Sequence, residues 1–139
     1  MIILDTNVVS EPMRPNGDPR VGAWLDRQMA ETLYLTATSL SELLVGVELL
    51  PEGKRKQGLA SALSDLMNRL FGSRILPFDQ QAAITYASLI GQARIGGHHL
   101  SVADGQIAAI AKVHGFIVAT RDTTPFVAAG ISILNPWEE

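Results

Sequence analysis

At 139 residues, 47% of them hydrophobic, the chain can bury one core but not two, so a single domain over residues 1–139 is expected. No apolar run approaches the ~20 residues that cross a bilayer; no membrane association is expected, and the mean hydropathy of +0.18 points instead to a buried sheet or a protein interface. The absence of cysteine excludes a disulfide framework, iron–sulfur ligation and thiolate zinc sites, and a net charge of −3 does not advertise a nucleic-acid binder.

Met1 to Leu4 reads as a short apolar strand ending at Asp5. No basic leader or small-residue cleavage site accompanies it, so no export signal and a cytoplasmic location are expected. Asn7 to Glu11 reads as a helical turn stopped by Pro12 and the loop that follows. Asp18-Pro19 starts a helix, with an acceptor at the N-cap and proline at the first helical position. Val21, Trp24, Leu25 and Met29 fall on its apolar face. Leu33 to Thr36 is the second strand, after which Ser39 is expected to cap a helix bearing Leu40, Leu43, Leu44 and Val47.

Beyond Pro51-Glu52-Gly53 an amphipathic helix is expected to reach Phe71, with Leu59, Leu63, Leu66, Met67 and Leu70 inward. Arg74 to Phe78 is the third strand. Its Pro77 cannot donate to a ladder, which places it at a sheet edge or strand end. Asp79 caps a helix to about Ile95, and after the Gly96-Gly97-His98-His99 loop Ser101 caps another that ends at Gly115. Phe116–Ala119 and Ile131–Leu134 are strands four and five. Strands separated by crossover-length helices give an α/β fold, a mostly parallel five-stranded sheet between helical layers. The Val102–Val113 helix is apolar nearly all round and must be deeply buried, which leaves its Asp104 in need of a reason.

Four acids follow sheet strands or open the helices after them: Asp5, Glu42, Asp104 and Asp122. In a doubly wound sheet all four point into one crevice at the carboxyl ends of the strands. Gathered carboxylates resist ionising together unless cations neutralise them, so the pattern points to a divalent metal site and to phosphoester chemistry. Each acid also has a structural reading. Asp5 can cap the turn after it, Glu42 can close a capping box on Ser39, and Asp122 can form a turn. Asp104 is too short to be a good capping-box partner. Thr6, Asn7, Thr120 and Arg121 would line the same opening as donors to a phosphate or bound water.

Other candidates are weaker. His98 and His99 are adjacent and diverge, so they form a poor chelate and read as a solvent loop. Lys54-Arg55-Lys56 reads as a solvated helix start, and Trp24 and Trp137 as core or interface residues.

Leu4-Asp5-Thr6-Asn7-Val8, Ser41-Glu42-Leu43, Ala103-Asp104-Gly105-Gln106-Ile107-Ala108 and Thr120-Arg121-Asp122 followed by Phe126 resemble the ordered signature of PIN-domain ribonucleases. Over essentially the whole chain the sequence is similar to the VapC-type toxins of toxin–antitoxin pairs. Ile75-Leu76-Pro77-Phe78-Asp79 and Asn135-Pro136-Trp137 look most like the FitB branch. The resemblance implies a three-layer α/β/α domain and a metal-dependent endoribonuclease. Asp5, Glu42, Asp104 and Asp122 would hold Mg²⁺ or Mn²⁺, and Thr120 matches a hydroxyl beside the site. Pro125 stands where some relatives carry a further acid, which argues against a complete second metal site.

The resemblance also implies homodimers, and a small ribbon-helix-helix antitoxin through which alone DNA is read, in a higher assembly. Trp24, Leu43 and Val47 are the expected antitoxin groove, near the acids. Two other functions stay open at this point. One is a catalytically idle PIN-like module that binds a partner in a DNA-binding complex. The other is a metal-dependent phosphatase, disfavoured because Asn7 stands where the haloacid-dehalogenase type needs a second aspartate.

Overall fold

In the computed structural model, which describes all of Met1–Glu139, the strands are β1 (Ile2–Leu4), β2 (Leu33–Thr36), β3 (Ile75–Leu76), β4 (Ile117–Ala119) and β5 (Ile133–Leu134). They form one five-stranded sheet in the order β3-β2-β1-β4-β5. Every pair is parallel, with Ile3 opposite Tyr34 on one side and Val118 on the other. Each crossover contains at least one helix, which is why no antiparallel edge arises. The helices are α1 (Thr6–Ser10), α2 (Pro19–Asp26), α3 (Ala37–Glu48), α4 (Lys54–Asp65), α5 (Gln80–Ile95), α6 (Val102–His114) and α7 (Thr124–Ala128). β2 and β3 step outward from one edge of β1, whereas β4 and β5 step outward from the other. The direction of winding therefore reverses between β1 and β4, and the crevice opens at their carboxyl ends.

The alternation of side chains along such short strands sorts the core into two. Ile3 and Val118 face one helical layer together with Ile107, Ile110 and Phe126. Leu4, Leu33, Leu35 and Ala119 face the other, with Val21, Trp24, Leu63 and Phe71. With strands this short, ladder bonds are few. Packing on both faces of this one sheet holds it, each buried Leu, Ile or Phe contributing roughly 1.5–3 kcal/mol.

Most helix boundaries follow the caps read from sequence. Asp18 accepts from the Arg20 N–H at 2.9 Å, Asp79 from the Ala82 N–H at 3.0 Å, and Ser101 from the Asp104 N–H at 3.1 Å. Gly115 ends α6 at a left-handed φ of +69°. The α3 cap is a correction. Thr36, the last residue of β2, accepts from the Ser39 N–H at 3.0 Å, so the helix begins at Ala37. Ser39 lies inside the first turn, its hydroxyl buried without a partner. Strand and helix are joined with no loop residue between them, which spacing alone does not reveal.

Other departures are smaller. The α1 turn runs on through Pro12 as a 3₁₀ turn, Glu11–Met13. α2 stops at Asp26, which leaves Met29 outside it and exposed. α4 gives way at Leu66 to a π turn, Leu66–Phe71, that delivers Phe71 to the core and ends at Gly72 with φ +51°. Lys56 is not a free surface charge, since its ammonium donates to the Glu48 carbonyl and to Glu52, tying the end of α3 to α4. α7 has no hydrophobic period to announce it, yet it seats Phe126 in the core.

Candidate active site

Asp5 stands where β1 ends. Its backbone N–H donates to the Ala119 carbonyl at 2.9 Å, continuing the β1–β4 pairing and fixing where the side chain emerges. It does cap α1, and this does not compete with a place in the crevice. Oδ1 accepts from the Thr6 N–H at 2.8 Å while Oδ2 accepts from the Thr120 hydroxyl at 2.7 Å. The residue is 6% exposed. Burial pushes its pKa above the ordinary aspartate range. The hydrogen bonds from Thr120 and then Thr6 hold it back, and the charges of Asp104 and Glu42 add to the rise.

Thr120 is fully buried, anchored by its N–H to the Leu134 carbonyl at 2.9 Å. Its hydroxyl oxygen accepts from the Asp122 N–H at 3.1 Å while its proton goes to Asp5. On the other side, Glu42 accepts from the Thr6 hydroxyl at 2.7 Å. The capping box is therefore absent. With α3 starting three residues early, Glu42 sits in the second turn and faces α1 instead of the helix start. Two threonines thus join Glu42, Asp5 and Asp122 into one hydrogen-bonded run.

Asp104 completes the group from α6. Its pKa is raised by burial, opposed by the Ser101 hydroxyl, and raised further by the charges of Asp122 and Glu42. Asp5 feels Asp104 and Glu42, and Asp104 feels Asp122 and Glu42. Acids from four places in the sequence are electrostatically one cluster.

The donors in this cluster are all carboxylate oxygens, the chemistry of a hard divalent cation such as Mg²⁺ or Mn²⁺. Asp5 and Asp104 carry the repulsion and burial that such a cation relieves. No three Asp, Glu or His side chains stand in the geometry that holds a metal ion, so the cluster is gathered without closing on one point. Two of its members, Glu42 and Asp122, are exposed.

The expected positioning residues divide. Thr6 and Thr120 are wired to the acids. The Asn7 side-chain oxygen is buried and has no partner, an orphaned acceptor two residues after Asp5. Arg121 does not line the opening between the acids; its guanidinium lies 5.3 Å from the centre of the Trp137 ring, a cation–π pair. The groove guess also needs correction. Trp24 and Leu43 are 3% and 8% exposed and fill the core, with Val47 half-buried at their edge. The largest apolar opening lies elsewhere, a cavity of about 550 Å³ whose walls include Met13, Leu25, Leu66 and Leu70.

The histidine pair, expected from sequence to be a solvent loop, is exposed but also lines a cavity. His98 and His99 border a cavity of about 450 Å³ together with Ser101, Asp104, Asp122 and Thr124. The signal was in the spacing, because the Gly96-Gly97 break leads directly into the cap of the helix that carries Asp104.

With this geometry in view, the relatives are informative. Residues 2–130 match the family model described as PIN domain. The chain is 49% identical over 138 residues, 99% of each chain, to VapC ribonuclease Y4jK of Sinorhizobium fredii. It is 48% identical, over the whole of both chains, to toxin FitB of Neisseria gonorrhoeae. Its fold superposes on the crystal structure of FitAcB from Neisseria gonorrhoeae with a TM-score of 0.95 at 48% identity, covering 100% of both chains. The structure of FitAB bound to an IR36 DNA fragment gives a TM-score of 0.94 at 47% identity, over 99% of this chain and 96% of that one. The chain belongs to the PIN-domain family, and within it stands with the VapC and FitB proteins.

Proposed function

We propose that this protein is the toxin of a toxin–antitoxin pair, an endoribonuclease that hydrolyses RNA phosphodiester bonds at the carboxyl ends of β1 and β4. The observation that carries the reading is the placing of four acids at one end of the sheet: Glu42, Asp5 and Asp122 are joined through Thr6 and Thr120, Asp104 and Asp122 line one cavity, and the charges of Asp104 and Glu42 are felt at Asp5. A structural role has no use for that arrangement, whereas a phosphodiesterase site does. These four residues would hold Mg²⁺ or Mn²⁺, and a cation bound there would lower the pKa of a water to make the nucleophile.

The chain's own residues do the rest. Thr6 and Thr120 fix both oxygens of Asp5 and so set its direction. The Asp122 backbone is tied to the same hydroxyl, which keeps the β4–α7 turn in register with β1. Asn7 offers an unpartnered oxygen to a bound water.

The FitAcB and DNA-bound FitAB structures support an antitoxin partner. A cognate antitoxin, ribbon-helix-helix in type, binds this chain and alone contacts DNA. A basic side chain from it placed among the carboxylates satisfies the same repulsion as a cation and so couples binding to inhibition. The apolar cavity by Met13, Leu25 and Leu70 is open to an antitoxin segment. Exposed Leu44 and Val45 on α3, Leu49 just past its end, and Ile84 and Ile95 on α5 suit a second copy of the chain. The protein acts in the cytoplasm as a homodimer.

Induced expression in bacteria with sequencing of RNA ends tests the proposal. New cleavage ends should appear with the wild type and not with Asp104→Asn, and should vanish when the antitoxin is co-expressed. Identical end profiles for wild type and Asp104→Asn would return the chain to the idle partner-binding reading.

A further inference from the structure

The cavity bordered by His98, His99 and Thr124 is not accounted for by an acid cluster alone. Its volume, about 450 Å³, falls within the ~300–1,000 Å³ of ordinary ligand sites. Asp104 and Asp122 form part of its wall, so whatever occupies it adjoins the acids. His98, His99, Ser101 and Thr124 line the same cavity.

The loop that carries the histidines is held in place. Gly97 takes a φ of +76°, a conformation that favours glycine, and the His98 N–H donates to the Ala93 carbonyl at 2.8 Å, closing the end of α5. Neither histidine side chain has a hydrogen-bond partner, and both are exposed. The loop backbone thus brings two exposed imidazoles, neither engaged in a hydrogen bond, to the lining of the cavity.

Asp104 and Asp122 are acids assigned above to the cation, so a nucleotide whose phosphodiester is cut there would extend its sugar and base into this cavity. Histidine rings stack on unpaired bases, and single-stranded RNA is read mainly through such splayed bases. We infer that the cavity is a nucleotide subsite, in which the base next to the cut phosphodiester lies against the His98–His99 loop with its ribose toward Asp104 and Asp122. It would make the loop a specificity element on one side of the cut. The inference rests on the proposed RNA cleavage, but its test does not depend on turnover.

Fluorescence anisotropy with a labelled random-sequence RNA octamer, in an Asp5→Asn background that removes an acid outside this cavity, measures binding directly. Replacing both histidines by alanine retains the backbone hydrogen bond to Ala93 and should leave the melting profile in place. It should weaken binding by about fivefold to a hundredfold, the loss of one stacked base. Replacing both by phenylalanine keeps the stacking faces and should restore most of it. In the background with Asp5 intact, cleavage-end sequencing should show the alanine pair losing nucleotide preference at one position beside the cut. If wild type cuts nothing while the alanine pair still loses RNA binding, the cleavage proposal fails and the subsite stands. RNA binding and cut-site preference both untouched by the alanine pair would overturn the subsite. So would an alanine pair that binds RNA normally but no longer binds the antitoxin, which would give the cavity to a protein.

Discussion

The Thr120 hydroxyl donates to Asp5 at 2.7 Å and has no exposure to solvent. Through that single proton the end of β4 sets the direction of the carboxylate at the end of β1. Across the same hydroxyl Asp122 is held by its backbone, so one threonine orders two of the four acids.

Thr120→Val keeps the β-branched shape and removes the hydroxyl. The buried Asp5 carboxylate then lacks one of its two donors, and hydrogen bonds to charged groups are worth roughly 1.5–3 kcal/mol. Urea denaturation at pH 7 should show a loss of about that size, with most of it regained in Thr120→Ser. A Val variant within about 0.5 kcal/mol of wild type would mean that the bond contributes little.

Stability should also depend on pH through Asp5 and Asp104. Both pKa values are raised by folding, so the native state binds protons more tightly than the unfolded chain between the ordinary aspartate value and the raised one. Their penalty is fully present above the raised values and fades as pH falls through them toward 3.8. In metal-free buffer Asp104→Asn should therefore unfold at a higher urea midpoint than wild type at pH 7, with a gap that narrows by pH 4.5. A gap that is absent at neutral pH, or that widens in acid, would show that the repulsion is not felt.

Glu42 separates structure from chemistry. Its partner is the Thr6 hydroxyl, and a glutamine oxygen can accept the same bond. Glu42→Gln should keep stability within about 0.5 kcal/mol, as expected of an exposed site, and should abolish RNA cleavage. Full cleavage by the folded variant would remove Glu42 from the site.

Gly105 allows α5 to approach α6 beside Asp104. A Cβ there would lie 2.7 Å from the Tyr86 ring and 3.2 Å from Ile90. Gly105→Ala gains up to about 1 kcal/mol in helix propensity, against a typical overpacking penalty of about 1–3 kcal/mol. Tyr86 is held edge-on to Phe78 at 5.7 Å between ring centres, which limits its retreat. A net loss of about 1–2 kcal/mol is expected from thermal melts, and an unchanged or raised midpoint would show that the ring yields.

Asp5 and Asp122 could be placed from sequence because strand ends and the turn to a parallel neighbour leave few directions for the next residue. Asp104 was legible because an apolar helix isolates it. Glu42 was reached with the wrong local picture. Ser39-x-x-Glu42 has capping-box spacing, but Thr36, buried at the end of β2, was the better-placed acceptor. Arg121 and Trp24 failed for a common reason: sequence does not say whether a side chain turns to the crevice, to a neighbouring ring or to the core. The histidine loop adjoins the α6 cap in sequence, but that it shares a cavity with Asp122 and Thr124 needed the fold.

The most direct measurement is cleavage of a defined single-stranded RNA by the purified chain in Mg²⁺ or Mn²⁺, with melting curves recorded in the same buffers. Cleavage should require the cation, cease with EDTA and be lost in Asp5→Asn and Asp104→Asn. Saturating cation, at 100 times its Kd, should stabilise the wild type by about 2.7 kcal/mol and leave Asp104→Asn nearly unmoved. RNA cut equally well in EDTA, or an equal thermal shift in Asp104→Asn, would contradict a four-acid metal site as the seat of the activity.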